Sequence, residues 1–180
     1  MKMKKCIMVL ITAFIILVSG CSSNKYVQLP YSLENAYKNT DVIDILNGNK
    51  TYNTDKLEEF MNSVKNGEKK KVRIVSYHKG NKEKFEKSDW NYPEQIYDLS
   101  FNGKNINVIS YSTASASSEN KLMETFSKIY KTINMVVSKY DTQYVLNGSN
   151  GNRIIVLSIA KNGYIDEDAQ KYIDKVLNEQ

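Results

Sequence analysis

Gln95-Ile96-Tyr97-Asp98-Leu99-Ser100-Phe101, the pair Asn102-Gly103, and then Lys104-Asn105-Ile106-Asn107-Val108-Ile109-Ser110-Tyr111 form the stretch on which the fold turns. Apolar and polar residues alternate along both arms, the period of a strand with one face toward a core. Asn-Gly between them suits a type I′ turn, whose two central residues must accept positive φ. The segment predicts a β-hairpin.

Working outward, a second hairpin is expected where Gln143 to Leu146 and Arg153 to Ile159 flank Asn147-Gly148-Ser149-Asn150-Gly151-Asn152. Lys71 to Tyr77 reads as a further strand, rich in Val72, Ile74 and Val75. Before it, Leu57, Phe60, Met61 and Val64 recur at the spacing of one helical face, so a helix is predicted from about Asp55 to Asn66. Asp55 with Glu58 suits a capping box, and Gly67 supplies a left-handed stop. At the end of the chain, Asp166 to Asn178 opens with acids and carries Ala169, Tyr172, Ile173, Val176 and Leu177 on one face, the pattern of a terminal helix. Between the hairpins the pattern is double. Leu122, Phe126, Ile129, Tyr130, Ile133 and Val137 fit a helical stripe, while Ile129, Ile133, Met135 and Val137 also fit alternation. The expected fold class is α+β: a mainly antiparallel sheet of about five or six strands packed against an N-terminal and a C-terminal helix.

The start of the chain carries a different signal. Lys2, Lys4 and Lys5 precede an uncharged apolar run of thirteen residues, Cys6 to Val18. That run is short of the roughly 20 residues a helix needs to cross a bilayer, and it has the length of a secretory signal. It ends Leu17-Val18-Ser19-Gly20-Cys21, which resembles the bacterial lipobox: a branched apolar residue, two small residues, then the cysteine that is acylated and becomes the new N-terminus. The expected organisation is a signal peptide over 1–20, a tether over 21–39 and a single α+β domain over 40–180. Val27, Leu29 and Leu33 are available to dock part of the tether on the domain. Lipid on Cys21, of the palmitate kind, would hold the domain on the extracytoplasmic face of the cell membrane, and two or three chains anchor far better than one.

From Thr40 to Lys161 the order of residues resembles a family of small, functionally uncharacterised lipoproteins of Gram-positive bacteria, a domain of unknown function. The resemblance rests on Asp41-Val42-Ile43, on Leu57, Phe60, Val64 and Asn66-Gly67, and on Val72-Arg73-Ile74-Val75-Ser76-Tyr77. It continues through Tyr97-Asp98-Leu99, Phe101-Asn102-Gly103-Lys104 and Ile106, and ends near Tyr144-Val145-Leu146-Asn147-Gly148. It implies a strand around Thr125 to Thr132, and the strand reading is adopted there. Relatives often have a short acidic Gly-Asp-Pro turn where this chain has the longer Lys79 to Pro93 loop. They also carry cysteines near the positions of Ser127 and Ser149, so a staple present in relatives would be missing here.

The three leader lysines supply three units of the formal net charge of +5, leaving +2 on the mature chain, too little to point to nucleic acid. With His78 the single histidine and Cys21 acylated, no set of metal ligands converges, and no cofactor motif appears. A hydrolase would need His78 as base to a serine, for instance in Ser110 to Ser118, with Asp89 orienting it. No nucleophile elbow accompanies it, so a non-enzymatic reading is preferred. Two clusters are candidate binding residues. One is aromatic, Phe85, Trp90 and Tyr92 in the charged loop, a composition suited either to recognition or to covering a sheet edge. The other is basic, Lys69, Lys70 and Lys71 in a run that also holds Lys65 and Arg73, suited either to an anionic surface or to a solvated turn. The expected partners are membrane lipid through Cys21 and an anionic wall polymer or another envelope protein. The expected role is a cell-envelope binding or interaction module. An inhibitor or chaperone-like partner of an envelope protein, and a hydrolase centred on His78, are the alternatives.

Overall fold

Alternation along β4 (Lys70–His78), β5 (Gln95–Phe101) and β6 (Ile106–Ser112) gives the central sheet two apolar half-faces that point opposite ways. The computed structural model describes residues 26–46, 50–78, 92–112 and 121–161. Before β4 it contains β1 (Tyr26–Gln28), α1 (Leu33–Lys38), β2 (Val42–Leu46), β3 (Lys50–Tyr52) and α2 (Thr54–Asn66). After β6 come β7 (Lys121–Tyr130), β8 (Thr132–Val137), β9 (Asp141–Asn147) and β10 (Arg153–Ala160). Seven strands form one sheet in the order β1-β7-β6-β5-β4-β2-β3, and β10-β9-β8 form a second.

This corrects the expected α+β arrangement of five or six strands between an N-terminal and a C-terminal helix. Among the described residues there are ten strands and two short helices, and both helices precede β4. The fold is mostly β. The predicted helix from Asp166 to Asn178 lies outside the described residues. The double pattern of 122–137 resolves into two strands in different sheets, β7 in the larger and β8 in the smaller. β2 and β4 run parallel, Val42 opposite Ile74 through Leu46 opposite His78. Such a pair needs a crossover, and α2 provides it.

Each half-face has its own cover. On one side Val72, Ile74, Leu99, Phe101, Ile106 and Val108 pack with Leu57 and Phe60 of α2 and with Ile133, Tyr144, Leu146 and Leu157 of the small sheet. On the other side Ile43, Ile45, Val75, Tyr77, Ile96 and Leu122 pack with Val27, Leu29, Leu33 and Ala36. Residues 26–39, which composition reads as tether, therefore carry β1 and α1 and bury four apolar side chains. Full burial of a Leu or Val is worth about 1.5–3 kcal/mol, enough together to order a segment of that length.

Local chemistry sets the element ends. The anticipated capping box is absent: Asn53 caps α2 at φ 56 with no side-chain hydrogen bond to the helix. Its amide instead donates to the Asp41 carbonyl at 2.9 Å. At the other end Gly67, at φ 74, closes a Schellman motif in which its N–H bonds Val64 O and that of Glu68 bonds Ser63 O. The β5–β6 connection is longer than the two-residue turn that Asn-Gly suggested. Phe101 pairs with Ile106, and Asn102 spans the four-residue loop by accepting the N–H groups of Lys104 and Asn105 on its Oδ1.

Candidate functional site

On the face covered by β1 and α1, only half of the sheet is apolar. Strand alternation carries Arg73 and Lys71 on from Val75, and Asp98 and Ser100 on from Ile96, so the same face turns polar. Here a cleft of about 960 Å³ opens, bounded by Tyr26, Tyr31, Asp41, Arg73, Asp98 and Tyr111, with Lys70 and Lys71 at its rim.

Its centre is an ion pair fixed by register. Arg73 and Asp98 face each other across the β4–β5 ladder. The guanidinium donates from Nε at 2.6 Å and from Nη2 at 2.7 Å to the two carboxylate oxygens, a bidentate fork. Burial works against the Arg73 charge, and the Asp98 carboxylate together with Tyr31 outweighs it, so the guanidinium is held above its ordinary pKa. Its carbon lies 5.4 Å from the centre of the Tyr31 ring.

Tyr31 in turn donates to Asp41 Oδ2, accepts from the Asn39 amide at 2.9 Å, and has its carbonyl bonded by Tyr77 Oη at 2.8 Å. Burial pushes Asp41 up to about 6, although the Tyr31 hydrogen bond and the Arg73 charge act to lower it. Tyr31 itself is raised, by burial first and by Asp41 second.

Asp41 owes its position to the way α1 ends. Thr40 N–H bonds Tyr37 O and Asp41 N–H bonds Ala36 O, both at 2.9 Å, which is again a Schellman closure. The left-handed residue in this closure is Thr40 at φ 57, a β-branched residue where glycine is usual. Strain of this kind persists where surrounding contacts over-determine the backbone, and it gathers at functional sites. Thr40 lines the cleft.

The residues singled out from sequence divide into three groups. Cys21, Phe85 and Trp90 lie outside the described residues. Tyr92 is described and 47% exposed, but it sits beyond the Gln95 end of β5, which pairs with Ser76. The basic run lies at the other end of that ladder, where Lys70 pairs with Phe101. Six residues of strand separate the two ends, about 20 Å at 3.3 Å per residue. Tyr92 and Lys69–Lys71 are therefore not one site. Lys70 reaches Glu59 at 3.2 Å, and Glu59 also holds Lys56 at 2.7 Å. Lys69 and Lys71 are exposed, the first beside the loop tip at Asn102 and the second on the cleft rim. His78 is the last residue of β4. Among the described residues no three His, Cys, Asp or Glu side chains gather as a metal site would need, and no helix is long and apolar enough to cross a membrane.

Tyr31, Asp41 and Asp98 were not marked by sequence, and Arg73 only as one of several bases. A signal existed: Arg73 interrupts Val72-Ile74-Val75 and Asp98 interrupts Tyr97-Leu99, one charge of each sign inside an apolar strand. No family model, curated protein or solved structure matches this chain.

Proposed function

We propose that this chain is a bacterial lipoprotein, held on the extracytoplasmic face of the cell membrane through acylated Cys21, whose domain binds an anionic polymer of the cell envelope. The leader residues Lys2 to Cys21 support the address. The observation that carries the binding role is the juxtaposition of Lys69, Lys70 and Lys71 with an open, polar half of a sheet face whose other half is fully packed. A half-face that stays polar beside a finished core is available for a ligand. Each lysine near an anionic surface contributes about 1 kcal/mol.

The triple variant K69A/K70A/K71A is expected to lose most of the parent's retention on purified anionic wall polymer at low salt. Retention equal to the parent would remove this reading.

A second reading, an inhibitor or chaperone-like partner of another envelope protein, is favoured by exposed apolar residues on the small sheet. Met135, Val136, Val137 and Tyr140, at the β8–β9 end, are between 42% and 74% exposed. A photo-crosslinker at Met135 on intact cells is expected to trap one dominant protein if that reading holds, and a scatter of minor adducts if it does not.

A further inference from the structure

The floor of the cleft differs chemically from its rim. Arg73 is neutralised by Asp98, and Asp41 receives the Tyr31 hydroxyl. Acids and bases cancel there, so a phosphate entering the floor would meet no uncompensated cation. What the floor offers instead is a set of neutral or mutually neutralised polar groups at fixed positions. They are the Arg73–Asp98 fork, the Asn39 amide and Ser100, beside the rings of Tyr26 and Tyr31.

We propose that the cleft binds the sugar rings of a polysaccharide chain. A pyranose presents neighbouring hydroxyls on its edge and a patch of C–H groups on its face. The fork matches the edge. Only two of the five guanidinium N–H donors are spent on Asp98, and each Asp98 oxygen keeps a lone pair, so one hydroxyl can be accepted and its neighbour donated to without breaking the pair. The tyrosine rings match the face, since an aromatic side chain combines an apolar body with a polar tip, and among the described residues each has a cation over one side only, Arg73 at 5.4 Å from the Tyr31 centre and Lys121 at 4.6 Å from that of Tyr26. Tyr26 is 40% exposed. At about 960 Å³ the cleft is at the upper end of the range that holds small ligands, roughly 300–1,000 Å³, and has room for more than one ring. This inference rests on the reading that the domain binds an envelope polymer, and it assigns the sugar part of such a polymer to the floor and its anionic groups to the lysine rim.

The test uses the full acylated chain in detergent micelles and a panel of uncharged oligosaccharides with gluco, manno and galacto rings, followed by calorimetry. Poly(glycerol phosphate), which carries charge and no ring, is the second probe. At least one neutral oligosaccharide is expected to bind, with an affinity that salt leaves unchanged because no charge is being screened. The paired replacement R73M/D98L removes both members of the ion pair at once, a change that buried pairs often tolerate, and is expected to weaken sugar binding at least tenfold. Ser100→Trp fills the cleft without removing either member of the pair and gives a second reading of the same loss, with circular dichroism confirming the fold of each variant. K69A/K70A/K71A is expected to lose poly(glycerol phosphate). If no sugar in the panel binds, or if S100W binds it as the parent does, the saccharide site is overturned even where the lysine rim still holds polymer. If sugar binds and the lysine variant retains anionic polymer in full, the saccharide site stands and the rim reading alone falls.

Discussion

Phe60→Ala is expected to lower the unfolding free energy by about 3–5 kcal/mol. Phe60 is fully buried on α2 and packs between that helix and the sheet face built by Val42, Val72, Ile74 and Leu99. Truncation removes the transfer energy of the ring and leaves a void that strands on one side and a helix on the other cannot close. Total stability of a domain this size is about 5–15 kcal/mol, so the variant sits near the edge of folding. Urea denaturation followed by circular dichroism measures it. A midpoint within experimental error of the parent would mean that α2 does not pack on the sheet.

Asp44→Asn is expected to act in the opposite direction, and only above about pH 4. Asp44 lies on β2 with its side chain buried, hydrogen-bonded to Ser76 across the parallel pair, and burial pushes its carboxyl from 3.8 up to about 6. Below its unfolded pKa the group is protonated in both states and costs nothing. Between about pH 4 and pH 6 the unfolded chain releases the proton while the folded chain keeps it, so stability falls as pH rises; above about 6 the loss is complete. A shift of this size corresponds to roughly 2–3 kcal/mol. Asparagine cannot ionise, so the variant should match the parent near pH 4 and exceed it by about that amount at pH 7. Asp41, also raised to about 6 by burial, contributes a decline of the same sign and leaves the variant with part of the slope. Denaturation midpoints at intervals from pH 4 to pH 7 decide the matter, and parallel curves for the two proteins would refute it.

The elements that sequence made visible are those whose pattern repeats several times. β5 and β6 alternate over most of their seven residues, α2 shows its apolar face at four positions, and β9 and β10 are set off by the turn-rich Asn147 to Asn152 between them. β1 and β3 are three residues long, too short for any period to register, and they turn a smaller sheet into one of seven strands. Residues 26–39 were harder still. Val27, Leu29, Leu33 and Ala36 are buried at spacings of two, four and three, a mixture of strand and helix periods that becomes sensible only against the sheet that covers them.

The site was less legible than the fold for the same reason. Lys69, Lys70 and Lys71 are adjacent in sequence and stood out as a run. Arg73 and Asp98 are 25 residues apart and meet only through the β4–β5 register, while Tyr31 and Asp41 reach them through the end of α1. Proximity along the chain was visible, and proximity across it was not.

Lys131 is the single residue between β7 and β8, and its N–H is bonded to Asn147 O at 2.8 Å. One length of extended chain thus serves as a strut common to both sheets, pinned at the point where it crosses. There is no slack for the layers to slide or swing without tearing ladder bonds in each. The cleft, on the opposite surface of the larger sheet, is consequently mounted on a stiff plate, and whatever enters it meets a shape already made.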